Sequence, residues 1–136
     1  MNRKIIFRGK DLIHNKWIYG GLAEDKDGNA VILSKNNWQK GGCVDKETIG
    51  QFTGLLGKNG KEIYEGDILL FRTDIFTSKP IVVVFHHGAF GYFYTGDFVS
   101  FVGNTNFKFY INGSDESFEI IGNIHDNPEL IKEEEQ

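Results

Sequence analysis

The residues of this 136-residue chain best able to do chemistry are a Gly-Lys pair, two closely spaced carboxylates, two adjacent histidines and one cysteine. Gly60-Lys61, inside LGKNGKEIYEGDI (residues 56–68), invites comparison with a phosphate-binding loop. Such a loop cradles phosphate on glycine N–H groups and reaches its oxygens with a lysine. The motif requires a glycine five positions before Gly60, where Leu55 stands, and a hydroxyl after the lysine, where Glu62 stands. A carboxylate there repels phosphate and cannot replace the Ser or Thr that helps hold magnesium. Asn59-Gly60 reads instead as a hairpin bend, because both residues tolerate positive φ at small cost.

Glu65 and Asp67 are two residues apart, so an extended backbone points both carboxylates to one side. Paired carboxylates can hold a cation or divide acid and base roles. Gly66 between them favours a tight turn in which Asp67 accepts hydrogen bonds from nearby backbone N–H groups. His86 and His87 sit at a strand end, where neighbouring side chains face opposite ways, so they are not expected to grip one metal without a break in the strand. His14 and His125 could join them only through the fold. Cys43 follows two glycines in a polar stretch, without a base or oxyanion donor at recognisable spacing. No catalytic residue, metal ligand or cofactor site is assigned.

The aromatics offer binding rather than catalysis. Aromatics interleaved with arginine and lysine can stack nucleic-acid bases. The aromatic-rich run of residues 81–107 contains neither. It is expected to fill a core and to supply rigid contact area for a protein partner. Trp17, Tyr92 and Tyr94 are the candidate contact aromatics. Arg3, Lys4, Arg8 and Lys10 form the alternative, a basic segment for nucleic-acid contact.

The elements that must position these residues are short strands between glycine-rich turns. The sequence predicts a strand over residues 3–10, with Ile5 and Phe7 on one face and Lys4, Ile6 and Arg8 on the other. Further strands are expected at 17–22 and 30–34, with DKDGN (residues 25–29) as the turn between them. Residues 36–45 read as a surface loop, and 45–52 as one helical turn or a connecting strand. Strands follow at 68–71, 81–85, 90–96 and 98–102. Phe107, Phe109 and Ile111 are expected on one face of another strand, with Lys108 and Tyr110 opposite. NGSDE (residues 112–116) then turns into a strand over 118–124. β-Branched runs such as IVVVF suit buried sheet and disfavour helix. The rhythm predicts a mainly β protein built as a small barrel or strongly curved sheet.

Composition agrees. A chain with 40% apolar and 25% charged residues is ordinary for one globular domain, and its size needs no disulfide staples. Residues 1–79 hold 13 of the 15 Lys and Arg, leaving 2 for residues 80–136, against 10 and 9 acidic residues. The second half therefore repels phosphate backbones, and the net of +3 in the first half is a thin electrostatic footprint. A single cysteine, no spanning apolar run and no signal-peptide pattern near Met1 lead to the expectation of a cytoplasmic protein without membrane contact.

Larger patterns in the chain resemble the YopX family of phage and prophage proteins. The resemblance rests on QFTGL (residues 51–55) and KNGKEIYEGDI (residues 58–68), with Phe7-Arg8, IGNI (residues 121–124) and NPEL (residues 127–130) as flanking anchors. Phe52 stands where the family commonly has tyrosine, and residues 9–46 depart more freely. The resemblance implies a β-rich N-terminal subdomain, residues 1–50, followed by an SH3-like barrel over residues 51–130 and a frayed acidic tail at 131–136. It transfers no catalytic residue or cofactor. It implies a non-enzymatic accessory role, as a protein-binding or oligomeric assembly module. The expected partners are a second copy of the chain or a phage or host protein.

Overall fold

The computed structural model describes residues 4–34, 41–109 and 113–131. Arg3, positions 36–40 of the expected loop, Tyr110, Ile111, Asn112 and the tail beyond Ile131 lie outside them. The chain divides into two units, Met1–Phe52 and Thr53–Gln136.

In the first unit, β1 (Phe7–Lys10) pairs antiparallel with β2 (Trp17–Glu24), from Phe7 opposite Gly20 to Lys10 opposite Trp17. A hairpin carries β2 into β3 (Ala30–Ser34), which pairs with β4 (Gly42–Cys43). Asp25 organises the hairpin: its Oδ1 accepts the N–H groups of Asp27 and Asn29, both at 2.9 Å. Gly28 supplies the positive φ of 85° that the bend requires. Burial does not alternate along β1: Arg8 and Gly9 are both buried, one on each face. Ile6 and Arg8 are 5% and 6% exposed, whereas Ile5 is 51% exposed. Ala30, Ile32 and Val44 form the unit's core, with Phe7, Ile18 and Ile49 packed against them.

The ambiguous stretch at 45–52 holds both expected structures in turn. A 3-10 turn, Lys46–Thr48, is capped by Asp45, whose side chain accepts Glu47 N–H. β5 (Gly50–Leu56) follows and pairs with β1 through Phe7 opposite Gln51. The sheet order is β4-β3-β2-β1-β5-β6, where β6 is Glu62–Tyr64 and β5 carries the chain into the second unit.

The bend between β5 and β6 answers the phosphate-loop comparison. Asn59 and Gly60 take φ of 63° and 71°, and Gly57 N–H donates to Lys61 O at 2.8 Å. The pair is a corner that lets two strands zip. A β-carbon at Gly60 would meet nothing within 4 Å, so substitution there tests backbone conformation alone. Gly60→Ala should cost about 1–2 kcal/mol in urea unfolding, whereas Asn59→Gly should lie close to neutral.

The rest of the second unit is two three-stranded sheets. One has the order β12-β7-β8, formed by β7 (Asp67–Phe71), β8 (Ile81–Val82) and β12 (Phe118–Asn123). The other has the order β11-β10-β9, formed by β9 (Val84–His86), β10 (Ala89–Tyr94) and β11 (Asp97–Ser100). The single strand expected over IVVVF is broken at Val83, which hands the chain from one sheet to the other. Val83 N–H donates to Asp67 O and its carbonyl accepts Gly66 N–H, both at 2.9 Å. A strand switching sheets at a bend is how packed sheets turn a corner.

The SH3-like barrel is not formed. Among the described residues no sheet closes on itself: each of the three sheet orders ends in two edge strands. Closure requires every strand to have a neighbour on both sides. The strand expected at Phe107 and Phe109 is absent among the described residues, where the chain turns and begins a helical step. Phe107 N–H donates to Asn104 O at 3.1 Å, and Gly113 N–H to Phe109 O at 2.9 Å. Local carbonyls and Asn or Asp side chains satisfy this segment in place of a neighbouring strand.

Phenylalanine fills the second core. Leu55, Ile63, Leu69, Ile81 and Val83 join Phe101, Phe107, Phe109 and Phe118 there. The high aromatic content is thus largely accounted for by packing.

Candidate functional site

Tyr92 and Tyr94 lie two residues apart on β10, hence on one face, and Val99 of β11 is the cross-strand partner of Tyr92. These three side chains floor an apolar groove of about 460 Å³, walled by Phe71, Phe76, Ile81 and Phe107. Asn104 and Asn106 add amide groups to its lining. Tyr92 is half-buried and packs on Phe101 at 5.5 Å between ring centroids. Burial pushes its phenol above the ordinary value of 10.0, and the neighbouring Tyr94 adds to the shift. Tyr94 is 63% exposed, an aromatic held at the surface beside an apolar trough.

The outer wall is a loop at residues 72–80. Phe71 N–H donates to Ser78 Oγ, Ser78 N–H to Phe71 O and Thr73 N–H to Phe76 O, each at 2.8 Å. These bonds fix the loop while leaving Ile75 96% and Phe76 55% exposed. Large apolar side chains left exposed side by side are an uncommon feature of a protein surface. The sequence reading did not single out Ile75-Phe76, an apolar dipeptide inside a polar stretch.

A second, charged recess of about 590 Å³ shares Phe71 and Asn106 with the groove. Glu119 is held there between Lys58 Nζ at 3.3 Å and Arg72 at 3.7 Å. Its wall is set by Asp115, only 3% exposed, whose oxygens accept Lys108 N–H at 3.1 Å and Ser117 N–H at 2.9 Å. The two recesses together present aromatic, amide and charged groups on adjoining surface.

The catalytic candidates disperse into structural roles. Asp67 is 2% exposed and its Oδ2 accepts Tyr64 N–H at 2.7 Å, the turn-closing bond anticipated from Gly66. His86 and His87 do meet, as stacked rings 3.9 Å apart, because His87 takes a φ of 48° in the bend and breaks the alternation of the strand. Cys43 is exposed on β4. Among the described residues, no three His, Cys, Asp or Glu side chains gather to hold a metal ion.

Of the remaining candidates, Trp17 stands on β2, with the Arg8 guanidinium 4.7 Å and the Lys10 ammonium 5.5 Å from its ring centroid. Lys4 lies 6.0 Å from the Phe52 ring. The three described basic residues of the nucleic-acid alternative are therefore engaged with aromatic faces, and Arg8 is buried besides. Arg3 lies outside the described residues.

Among the described residues, no helix is long and apolar enough to cross a membrane. The fold is similar to the crystal structure of protein EF1440 from Enterococcus faecalis, at 24% identity and a TM-score of 0.60. The alignment covers 96% of this chain and 100% of that one, and the likeness is one of fold. No curated protein matches the chain. The YopX protein family matches residues 6–132. The chain therefore belongs to the YopX family of phage and prophage accessory proteins, a family without an assigned catalytic function.

Proposed function

We propose that this protein is a non-enzymatic binding module, acting in the cytoplasm of a phage-infected or prophage-bearing cell, that holds a protein partner in the groove of its second unit. The observation that carries this reading is the pair Tyr94 and Phe76, both largely exposed and both lining one apolar groove. Rigid aromatics of this kind concentrate binding energy because they bury large area with few rotamers to freeze. The charged recess beside the groove supports specificity through charge matching rather than raw affinity. The partner is a phage or host protein, or a second copy of the chain. Nucleic-acid association finds less support, since Arg8 is buried and Lys4 and Lys10 lie against aromatic rings.

The test is capture from phage-infected cells with the wild type and a Tyr94→Ser, Phe76→Ser double variant. Both side chains are largely exposed, so the variant should keep the wild-type melting temperature within a few degrees. The wild type should enrich a partner that the variant loses by about tenfold or more, as expected for removing two aromatic contact residues. Equal enrichment by both proteins, or by neither, overturns the groove as the binding site.

A further inference from the structure

We propose that β11 pairs antiparallel with β11 of a second copy, joining two three-stranded sheets into one of six strands. The inference rests on reading the protein as a binding module and names one of its partners.

The main-chain geometry of β11 carries it. Tyr94 and Asp97 flank a two-residue bend, Thr95-Gly96, with φ of 47° and 89°. A two-residue hairpin makes its flanking pair hydrogen-bonded, and bonded pairs then alternate along the ladder. Asp97 and Val99 therefore bond inward to β10, as does Phe101, whose N–H donates to Phe90 O at 3.2 Å. Phe98 and Ser100 turn their N–H and C=O groups to the opposite edge. Among the described residues, those four groups have no hydrogen-bond partner, although Ser100 Oγ donates to Val102 O at 3.1 Å. The strand borders an open recess of about 530 Å³ whose lining includes Phe98, Val99 and Ser100 together with Val102, Asn104 and Thr105.

Other edge strands are shortened or irregular. β4 and β8 have two residues, β6 and β9 have three, and the register of β12 shifts between Ile120 and Gly122. Such devices keep edges from pairing. β11 has four residues in unbroken register and carries no lysine, arginine or proline.

The edge is also self-complementary, which selects a second copy as the occupant. A twofold axis at Val99 sets Phe98 opposite Ser100 of the second copy and Ser100 opposite its Phe98. Each of those pairs exchanges two hydrogen bonds, so all four outward groups are used at once. Asp97, the one charged residue between 81 and 107, then falls opposite position 101 of the other copy, not opposite its own equivalent. The Val99 side chains meet across the axis on the groove face, so the two apolar grooves become continuous.

Light scattering and amide exchange on the full chain test this. The wild type should show twice the 15.4 kDa mass of one chain at high concentration. Ser100→Pro deletes an outward N–H that the chain's own hairpin does not use, and edge positions tolerate proline. The variant should keep the wild-type circular dichroism and stay at the mass of one chain. In the wild type, the Phe98 and Ser100 amides should be protected at high concentration and exchange freely on dilution. A wild type that stays monomeric, a folded Ser100→Pro variant that still doubles its mass, or amide protection that ignores concentration would each overturn the proposal. Should the variant not fold, the exchange measurement decides alone. Protection of those amides only when a different protein is added also overturns it, while leaving the groove reading intact. Loss of groove binding in the Tyr94→Ser, Phe76→Ser variant is a separate readout.

Discussion

Phe118→Ala should lower the stability of the second unit by about 3–5 kcal/mol, the cost of removing a large ring from a core that cannot collapse around the void. Phe118 is fully buried and is the hub of its ring cluster. Its centroid lies 5.0 Å from Phe71, 5.1 Å from Phe109, 5.2 Å from Phe107 and 5.4 Å from Phe101. The contact with Phe109 is stacked and the other three are tilted or edge-on, and such ring pairs contribute beyond the area they bury. Four of the five tyrosines follow residue 52, while both tryptophans precede it. Urea unfolding followed by tyrosine absorbance should therefore report the loss. Phe118→Leu, which refills much of the volume, should cost clearly less than the alanine variant. A loss below about 1 kcal/mol for the alanine variant would mean that this cluster is not the core of the unit.

Asp115→Ala should cost about 2–4 kcal/mol by a different route, because it strands main-chain donors rather than opening a void. The carboxylate is buried and satisfies Lys108 N–H and Ser117 N–H, two groups nine residues apart that no strand serves. Asp115 N–H also donates to Leu56 O at 2.8 Å, and Asp115 O accepts Phe118 N–H at 3.2 Å. Removing the side chain should free the 108–117 segment and raise amide exchange at Lys108 and Ser117 before the rest of the unit responds. Asp115→Asn keeps one carbonyl acceptor and should fall between wild type and alanine. Alanine with unchanged exchange at those two amides would contradict the anchoring role.

The strands with a period-2 pattern and a clear bend were legible from residues alone. AVILS after DKDGN became β3 with its hairpin, and Asn59-Gly60 became the corner between β5 and β6. The family resemblance held over nearly the whole chain. What failed were features decided by non-local contacts. Nothing in IVVVF marks Val83 as the break, since its two main-chain bonds go to residues 66 and 67. The 107–111 alternation looked like a strand because Phe107 and Phe109 are both buried, yet a turn buries them equally well. The residues of β1 did not show that both of its faces are covered, because one face carries Arg8, whose guanidinium lies over the Trp17 ring. Tyr92 and Tyr94, two residues apart on β10, line one groove, while Trp17 stands on β2. The opposing wall at Phe76 comes from a loop whose position only the fold provides.

The corner at Val83 also fixes one margin of the groove. Ile81 belongs to one sheet and Tyr92 to the other, and between β8 and β9 the chain steps from sheet to sheet at Val83. Both main-chain bonds of that residue run back to residues 66 and 67, so the step is anchored to the sheet that carries Ile81 and leaves β9 to start from a fixed point.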